Sequence, residues 1–241
     1  MRIIARLDIK NNFVIKGINL EGLRKVGDPI ETALNYYKNG IDEIIFIDSV
    51  ASLYQRNNLY HIIEESVKDI FVPLTIGGGI RSLKDIEMAL KAGADKVAIN
   101  SYATENPNFI KEAVNNFGSS CIISYIEAKE VQNNKWEVYK YCGREKTNLD
   151  LINWINKVQD LGCGEILITS IDYEGMQNGF DLKLIEHIHK KTNVPLITSG
   201  GCGNIKHIEE IKNNFSDTSV ALASVLHYRK MEIPNIKKII K

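Results

Sequence analysis

The sequence predicts a (β/α)8 barrel, built as two (β/α)4 half-barrels. Short apolar runs alternate with amphipathic stretches along all 241 residues. The runs are hydrophobic throughout, as strands covered on both faces should be. The chain also repeats itself after about half its length, a period too long for a solenoid. Strict β–α alternation argues for a parallel sheet. Eight units in a chain this long fit closure, since such barrels run to about 250 residues. An open doubly wound sheet is the competitor, but its Gly-x-Gly-x-x-Gly turn after the first strand is absent. The expectation is one domain spanning 1–241.

The expected strands are 3–8, 43–48, 74–77, 96–99, 121–127, 165–170, 195–199 and 220–223. The run from Met1 to Asp8 carries Arg2 and Arg6 and reads as a first strand rather than a leader. Amphipathic helices are expected over 29–39, 82–92, 106–117, 148–161 and 182–192. Trp136 and Tyr139 belong to one arm of a hairpin after the fifth strand, turned by Asn133-Asn134 and packed over the barrel mouth. Lys237, Lys238 and Lys241 form the solvated face of a last helix. The repeat is direct. Residues 72–86 (VPLTIGGGIRSLKDI) match 194–208 (VPLITSGGCGNIKHI), and 41–48 match 163–170. Asp8, closing strand one, matches Glu127, closing strand five.

Thirty basic residues balance thirty acidic ones, and 44% of the chain is hydrophobic. That leaves no electrostatic reason to expect nucleic acid or an anionic membrane as partner. No apolar run approaches the ~20 residues that span a bilayer. Cys121, Cys142, Cys163 and Cys202 form no C-x-x-C pair and read as reduced thiols of a cytoplasmic protein. The five histidines have no metal-ligand spacing; no metal or organic cofactor is expected.

Barrel active sites lie where strands end at the C-terminal face. Strand three ends in Gly77-Gly78-Gly79, and strand four in Asn100-Ser101. Strand seven ends in Ser199-Gly200-Gly201, and strand eight in Ala223-Ser224. Glycines admit an anion close to backbone N–H groups. Either set alone reads as a tight turn; the pattern occurring twice points to two phosphate cradles and a bis-phosphorylated small-molecule substrate. Asp8 and Glu127 face each other across an eight-stranded barrel, as a general acid–base pair could. At the opposite end, Arg2, Glu43, Lys96 and Glu165 open four strands. Two positive and two negative charges there could form a ring of ion pairs, and residue type alone makes it a stabilising floor.

The segments Arg2-Ile-Ile-Ala-Arg-Leu-Asp8, Val14-Ile-Lys-Gly17, Gly27-Asp-Pro29, Leu74-Thr-Ile-Gly-Gly-Gly79, Ala92-Gly-Ala-Asp-Lys-Val-Ala-Ile-Asn100, Gly164-Glu-Ile-Leu-Ile-Thr-Ser-Ile-Asp172 and Ser199-Gly-Gly201 occur in order on successive strands. Together they resemble the cyclase subunit of imidazole glycerol phosphate synthase nearly end to end. The isomerase with the same half-barrel repeat is the nearest rival; the Val-Ile-Lys-Gly segment and the run after Gly164 favour the cyclase. The resemblance implies that ammonia, released by a separate glutaminase subunit in a heterodimer, enters through the barrel floor. It then attacks a phosphoribulosyl aminoimidazole substrate, giving imidazole glycerol phosphate and an aminoimidazole carboxamide ribonucleotide in histidine biosynthesis. It implies a catalytic role for Asp8, and a flexible-loop role for Lys16. One phosphate site is implied at Gly79, Asn100 and Ser101, the other at Gly175, Gly200, Gly201, Ala223 and Ser224. Arg2, Glu43, Lys96 and Glu165 become an ammonia gate, and Asp48 and Ser199 inner polar positions.

The departures are specific. The family's second catalytic residue is aspartate in an Ile-Asp-Ala-Lys strand end; here it is Ile126-Glu127-Ala128-Lys129. Arg6 and Tyr125 replace small residues, and Glu174 and Met176 stand where Asp and Thr are usual. Displacing a catalytic group by ~1 Å can cost ~100-fold in rate. These changes resemble a branch of cyclase-like proteins found with lipopolysaccharide genes. That resemblance implies the alternative role of a glutaminase-docking ammonia conduit for amidation of a surface-polysaccharide sugar.

Overall fold

The structure, a computed structural model, describes residues 1–51 and 59–240. Eight strands close into a parallel barrel: β1 (Ile3–Lys10), β4 (Glu43–Asp48), β5 (Leu74–Gly77), β6 (Lys96–Ile99), β7 (Ile122–Gln132), β10 (Glu165–Ser170), β11 (Leu196–Ser199) and β12 (Ser219–Leu222). The hydrogen-bonded order is β10-β11-β12-β1-β4-β5-β6-β7, and pairing of β7 with β10 closes the ring. β1 and β7 therefore stand on opposite sides, four strands apart in either direction.

Four further strands form two antiparallel excursions. β2 (Phe13–Ile18) and β3 (Glu21–Gly27) extend from β1; β8 (Lys135–Lys140) and β9 (Glu145–Asp150) extend from β7. The second contains the expected hairpin, with Asn134 in the left-handed region at its turn (φ 57°). The first was not expected. Its signal was Asn11-Asn12, both with positive φ (48° and 64°), the backbone that a tight two-residue hairpin requires. β9 also takes 148–150 from the helix expected there, which begins at Leu151 once the Asp150 carboxylate accepts from the Asn153 N–H.

Side-chain caps start several other helices. Asp28 accepts from the N–H groups of Ile30 and Glu31 ahead of the helix Pro29–Lys38. Ser82 and Asp85 form a reciprocal capping box on Leu83–Lys91. Each such cap contributes about 1 kcal/mol.

Strand side chains alternate between two cores. On β1, Ile3, Ala5, Leu7 and Ile9 face the surrounding helices, while Ile4 joins Ile45, Ile123, Leu167, Ile197 and Ala221 inside the barrel. The inward set of β1 thus runs Arg2, Ile4, Arg6, Asp8: a charged floor, an apolar middle and a charged mouth. Among the described residues, no helix is long and apolar enough to cross a membrane, and no His/Cys/Asp/Glu cluster suited to a metal is present.

Candidate active site

The floor residues meet as the alternation of their charges allows. Arg2 pairs with Glu43 at 2.5 Å and also with Glu165; Lys96 lies 3.3 Å from Glu43 and 3.0 Å from Glu165. Each cation touches both anions, which makes a closed four-membered ring. Burial works against the Arg2 charge, but Glu165 and Glu43 more than offset it and keep the guanidinium's pKa raised.

At the mouth, Asp8 and Glu127 project inward from opposite strands and are joined by a residue between them. Arg6 is 2% exposed. Its Nε donates to Asp8 at 2.9 Å, one terminal nitrogen donates to Thr169 (2.7 Å) and Ser199 (3.3 Å), and the other donates to the Tyr125 hydroxyl at 3.0 Å. Tyr125 donates in turn to Glu127 at 3.0 Å. The other Glu127 oxygen accepts from Asn100 Nδ2 (3.1 Å) and from the Gly143 N–H (3.0 Å).

These surroundings separate the two acids. Burial alone would raise the pKa of Asp8, but Arg6 and then Lys16 reverse it, so Asp8 lies below the usual carboxylate range. Burial dominates at Glu127 and raises its pKa despite the Gly143 and Tyr125 donors. A pair pushed apart in this way is suited to base and acid roles.

The two cradles differ in form. Beside the first lies a cavity of about 370 Å³, within the range of small-molecule sites. Gly79, Asn100, Ser101, Glu127, Arg81 and Tyr141 are among the residues that line it. Gly78 must be glycine: its φ is +90°, and a Cβ would stand 2.3 Å from the Asp48 carbonyl oxygen. Asp48 accepts from the Val50 and Ala51 N–H groups and so fixes the turn after β4. The second cradle gathers Gly175, Ser199, Gly200, Gly201, Ala223 and Ser224, but the space left among them is only about 10 Å³.

Lys16 lies in β2 and is buried, not carried on an open loop. It pairs with Glu174 and lies 3.9 Å from Asp8. Burial lowers its pKa to about 8, with Asp8 opposing and Arg6 adding to the effect.

A sequence profile of the family described as histidine biosynthesis protein matches residues 2–232. The chain belongs to this family. Its relatives include proteins named imidazole glycerol phosphate synthase subunit HisF. The one from Bacillus cereus (strain Q1) is 46% identical over 98% of this chain and 94% of its own length. The one from Legionella pneumophila is 50% identical over 86% and 97%. The one from Hydrogenobaculum sp. (strain Y04AAS1) is 46% identical over 100% and 95%. The family resemblance read from ordered strand motifs therefore holds for the whole barrel.

Three mouth residues of this family member escaped sequence reasoning: Arg81, Tyr141 and the Gly143 amide. Arg81 directly follows the glycine turn and its Ile80, so a cation beside a cradle was findable there. Tyr141 and Gly143 lie in an irregular turn with positive φ at 141, 142 and 143, which no periodic pattern announces.

Proposed function

We propose that this chain is the cyclase subunit of an imidazole glycerol phosphate synthase. It would use ammonia from a glutaminase partner to convert the bis-phosphorylated phosphoribulosyl aminoimidazole substrate to imidazole glycerol phosphate and an aminoimidazole carboxamide ribonucleotide. The observation that carries this reading is the pair of inward carboxylates on opposite strands: Glu127 lines a cavity of about 370 Å³, and Asp8 borders a smaller space beside it, which shares Tyr125, Ile47 and Cys142 with that cavity. Family membership supplies the reaction; the chain's own residues supply the roles. Asp8, held ionised by Arg6 and Lys16, accepts a proton as ammonia adds. Glu127, whose pKa is raised by burial, donates one to the departing group. Gly79, Asn100 and Ser101 receive one phosphate end. Gly175, Gly200, Gly201, Ala223 and Ser224 border the position of the other. The glutaminase docks beneath the ring of Arg2, Glu43, Lys96 and Glu165, and that ring gates ammonia entry. The protein works in the cytoplasm, needs no metal or organic cofactor, and acts as a heterodimer.

One observation favours a second reading. Arg6 occupies both inward acids, directly at Asp8 and through Tyr125 at Glu127. A barrel so arranged could keep glutaminase docking and give up turnover, serving amidation of a surface-polysaccharide sugar. Steady-state turnover with excess ammonium salt, which bypasses any glutaminase, separates the two. The cyclase reading expects turnover that Asp8→Asn abolishes, because an amide neither accepts nor returns a proton at neutral pH. Turnover of Asp8→Asn within a few-fold of the parent would remove Asp8 from the mechanism.

A further inference from the structure

The two halves of the repeat present matching glycine turns, yet one cradle is open and the other is narrow. The open one has a cavity of about 370 Å³ and includes Arg81, which has no ion pair with a described residue. The other leaves about 10 Å³, close to the ~10–15 Å³ that a single water requires. Glu174 is among the residues that line it. This side chain is 3% exposed, and a methyl group placed on Gly200 would stand 3.2 Å from its Oε2. The carboxylate therefore sits against the Gly200 side of the Ser199-Gly200-Gly201 turn, next to the Ser170 carbonyl, and borders the cradle.

Three contacts hold it there. Lys16 of β2 pairs with Glu174 inside the protein. The Asn19 N–H donates to the Glu174 carbonyl at 2.7 Å. Gly175, with φ +78°, lies so close beneath the β2–β3 excursion that a Cβ would meet the Gly17 carbonyl oxygen at 2.3 Å. The excursion thus lies over the second cradle and contributes the cation that its anion needs. A carboxylate paired to a buried ammonium at the edge of the cradle takes up the cation that a bound phosphate would otherwise use.

We propose that Glu174 is a specificity-determining residue that acts as a built-in anion in the second cradle, so that the resting protein accepts one phosphate group, at the Gly79–Ser101 end. A second phosphate enters only by displacing Glu174 from Gly200 and taking over Lys16. This deepens the reading of the mouth as a site for a phosphorylated substrate and rests on it. One phosphate end docks first, and the other is admitted by exchange of one anion for another. A ligand with a single phosphate meets no such barrier.

Inorganic phosphate is the probe, titrated into the full chain with the backbone amides of Gly79 and Gly201 followed by NMR. In the parent, Gly79 should respond first, and Gly201 at phosphate concentrations at least about tenfold higher, because a second anion must stand beside Glu174 before displacing it. Glu174→Ala opens the space and frees Lys16, so the two amides should then titrate within about threefold of each other. Glu174→Gln keeps the volume and removes the charge; it guards against a folding defect in the alanine variant and should give a ratio between these. Equal response of both amides in the parent would overturn the proposal while leaving the phosphate-binding mouth intact. So would a Gly201 response that neither variant strengthens. No response at Gly79 in the parent would overturn it together with the phosphate reading of the mouth.

Discussion

Arg6→Met replaces a buried cation with an unbranched apolar side chain of similar reach, and its consequences follow from the contacts. Four hydrogen bonds disappear, to Asp8, Thr169, Ser199 and Tyr125. The graver loss is electrostatic. Asp8, 6% exposed, keeps among the described residues only the Lys16 ion pair at 3.9 Å, and Lys16 is already committed to Glu174. Removing one partner of a buried pair typically costs about 3–5 kcal/mol. For a chain of this size each kcal/mol lowers Tm by about 2–4 °C, so a fall of roughly 6–20 °C is expected. The pH dependence has a definite sign. The folded pKa of Asp8 is depressed, so its stabilisation is present above the unfolded value of about 3.9 and is lost as pH falls toward the folded one. Without Arg6, burial is left to raise the Asp8 pKa, the carboxyl protonates on acidification, and the penalty for burying its charge vanishes. Parent and variant should therefore converge below about pH 4. The double variant Arg6→Met, Asp8→Asn removes both charges and should be more stable than Arg6→Met alone by more than about 1 kcal/mol. Urea unfolding across pH 3–8 measures all three proteins. An Arg6→Met variant within about 1 kcal/mol of the parent at pH 7, or a double variant less stable than the single, would refute the claim that Arg6 balances Asp8.

At the floor, Lys96→Met leaves Glu43 and Glu165 sharing Arg2 alone; a loss of about 1–3 kcal/mol by thermal unfolding is expected, reduced from the fully buried case because the Lys96 side chain is 18% exposed. At the first cradle, Gly78→Ala forces a Cβ against the Asp48 carbonyl and a non-glycine residue into φ +90°; it should cost at least about 1–3 kcal/mol in urea unfolding and weaken phosphate binding there. Carboxyl-detected NMR titration should find Glu127 above the usual glutamate range and Asp8 below the usual aspartate range; the reverse order would reverse their acid and base roles.

Much of the scaffold was legible because the forces that set it are local or periodic. Buried parallel strands must be continuous apolar runs, so β4, β5, β6 and β10 began and ended where their sequences turned polar or glycine-rich. The floor charges were visible because a charge at the start of an inward strand position has few other places to go. The β2–β3 excursion was missed because β2 (FVIKGI) is short and broken by Lys16 and Gly17, and β3 carries Arg24 and Lys25; packing on the mouth, not periodicity, holds them. The inequality of the two cradles could not be read from matching glycine motifs. It depends on where the carboxylate of Glu174 points, and on a lysine more than 150 residues earlier in the chain. The Arg6–Tyr125 bridge shows the same limit: both residues stood out by type, but only the closed barrel sets them side by side, 119 residues apart in sequence.

The cyclase assignment stands or falls on Glu127. The direct measurement is steady-state turnover of the ribulosyl aminoimidazole substrate with excess ammonium, for the parent, Glu127→Asp and Glu127→Gln. Surroundings fitted to the longer acid, with donors from Tyr125, Asn100 and Gly143, predict a working parent. They also predict a slower Glu127→Asp, since retracting the carboxylate by ~1 Å can cost ~100-fold, and a Glu127→Gln variant with almost no activity. Absent parental turnover beside tight glutaminase binding, or a Glu127→Gln variant that turns over within a few-fold of the parent, would contradict it.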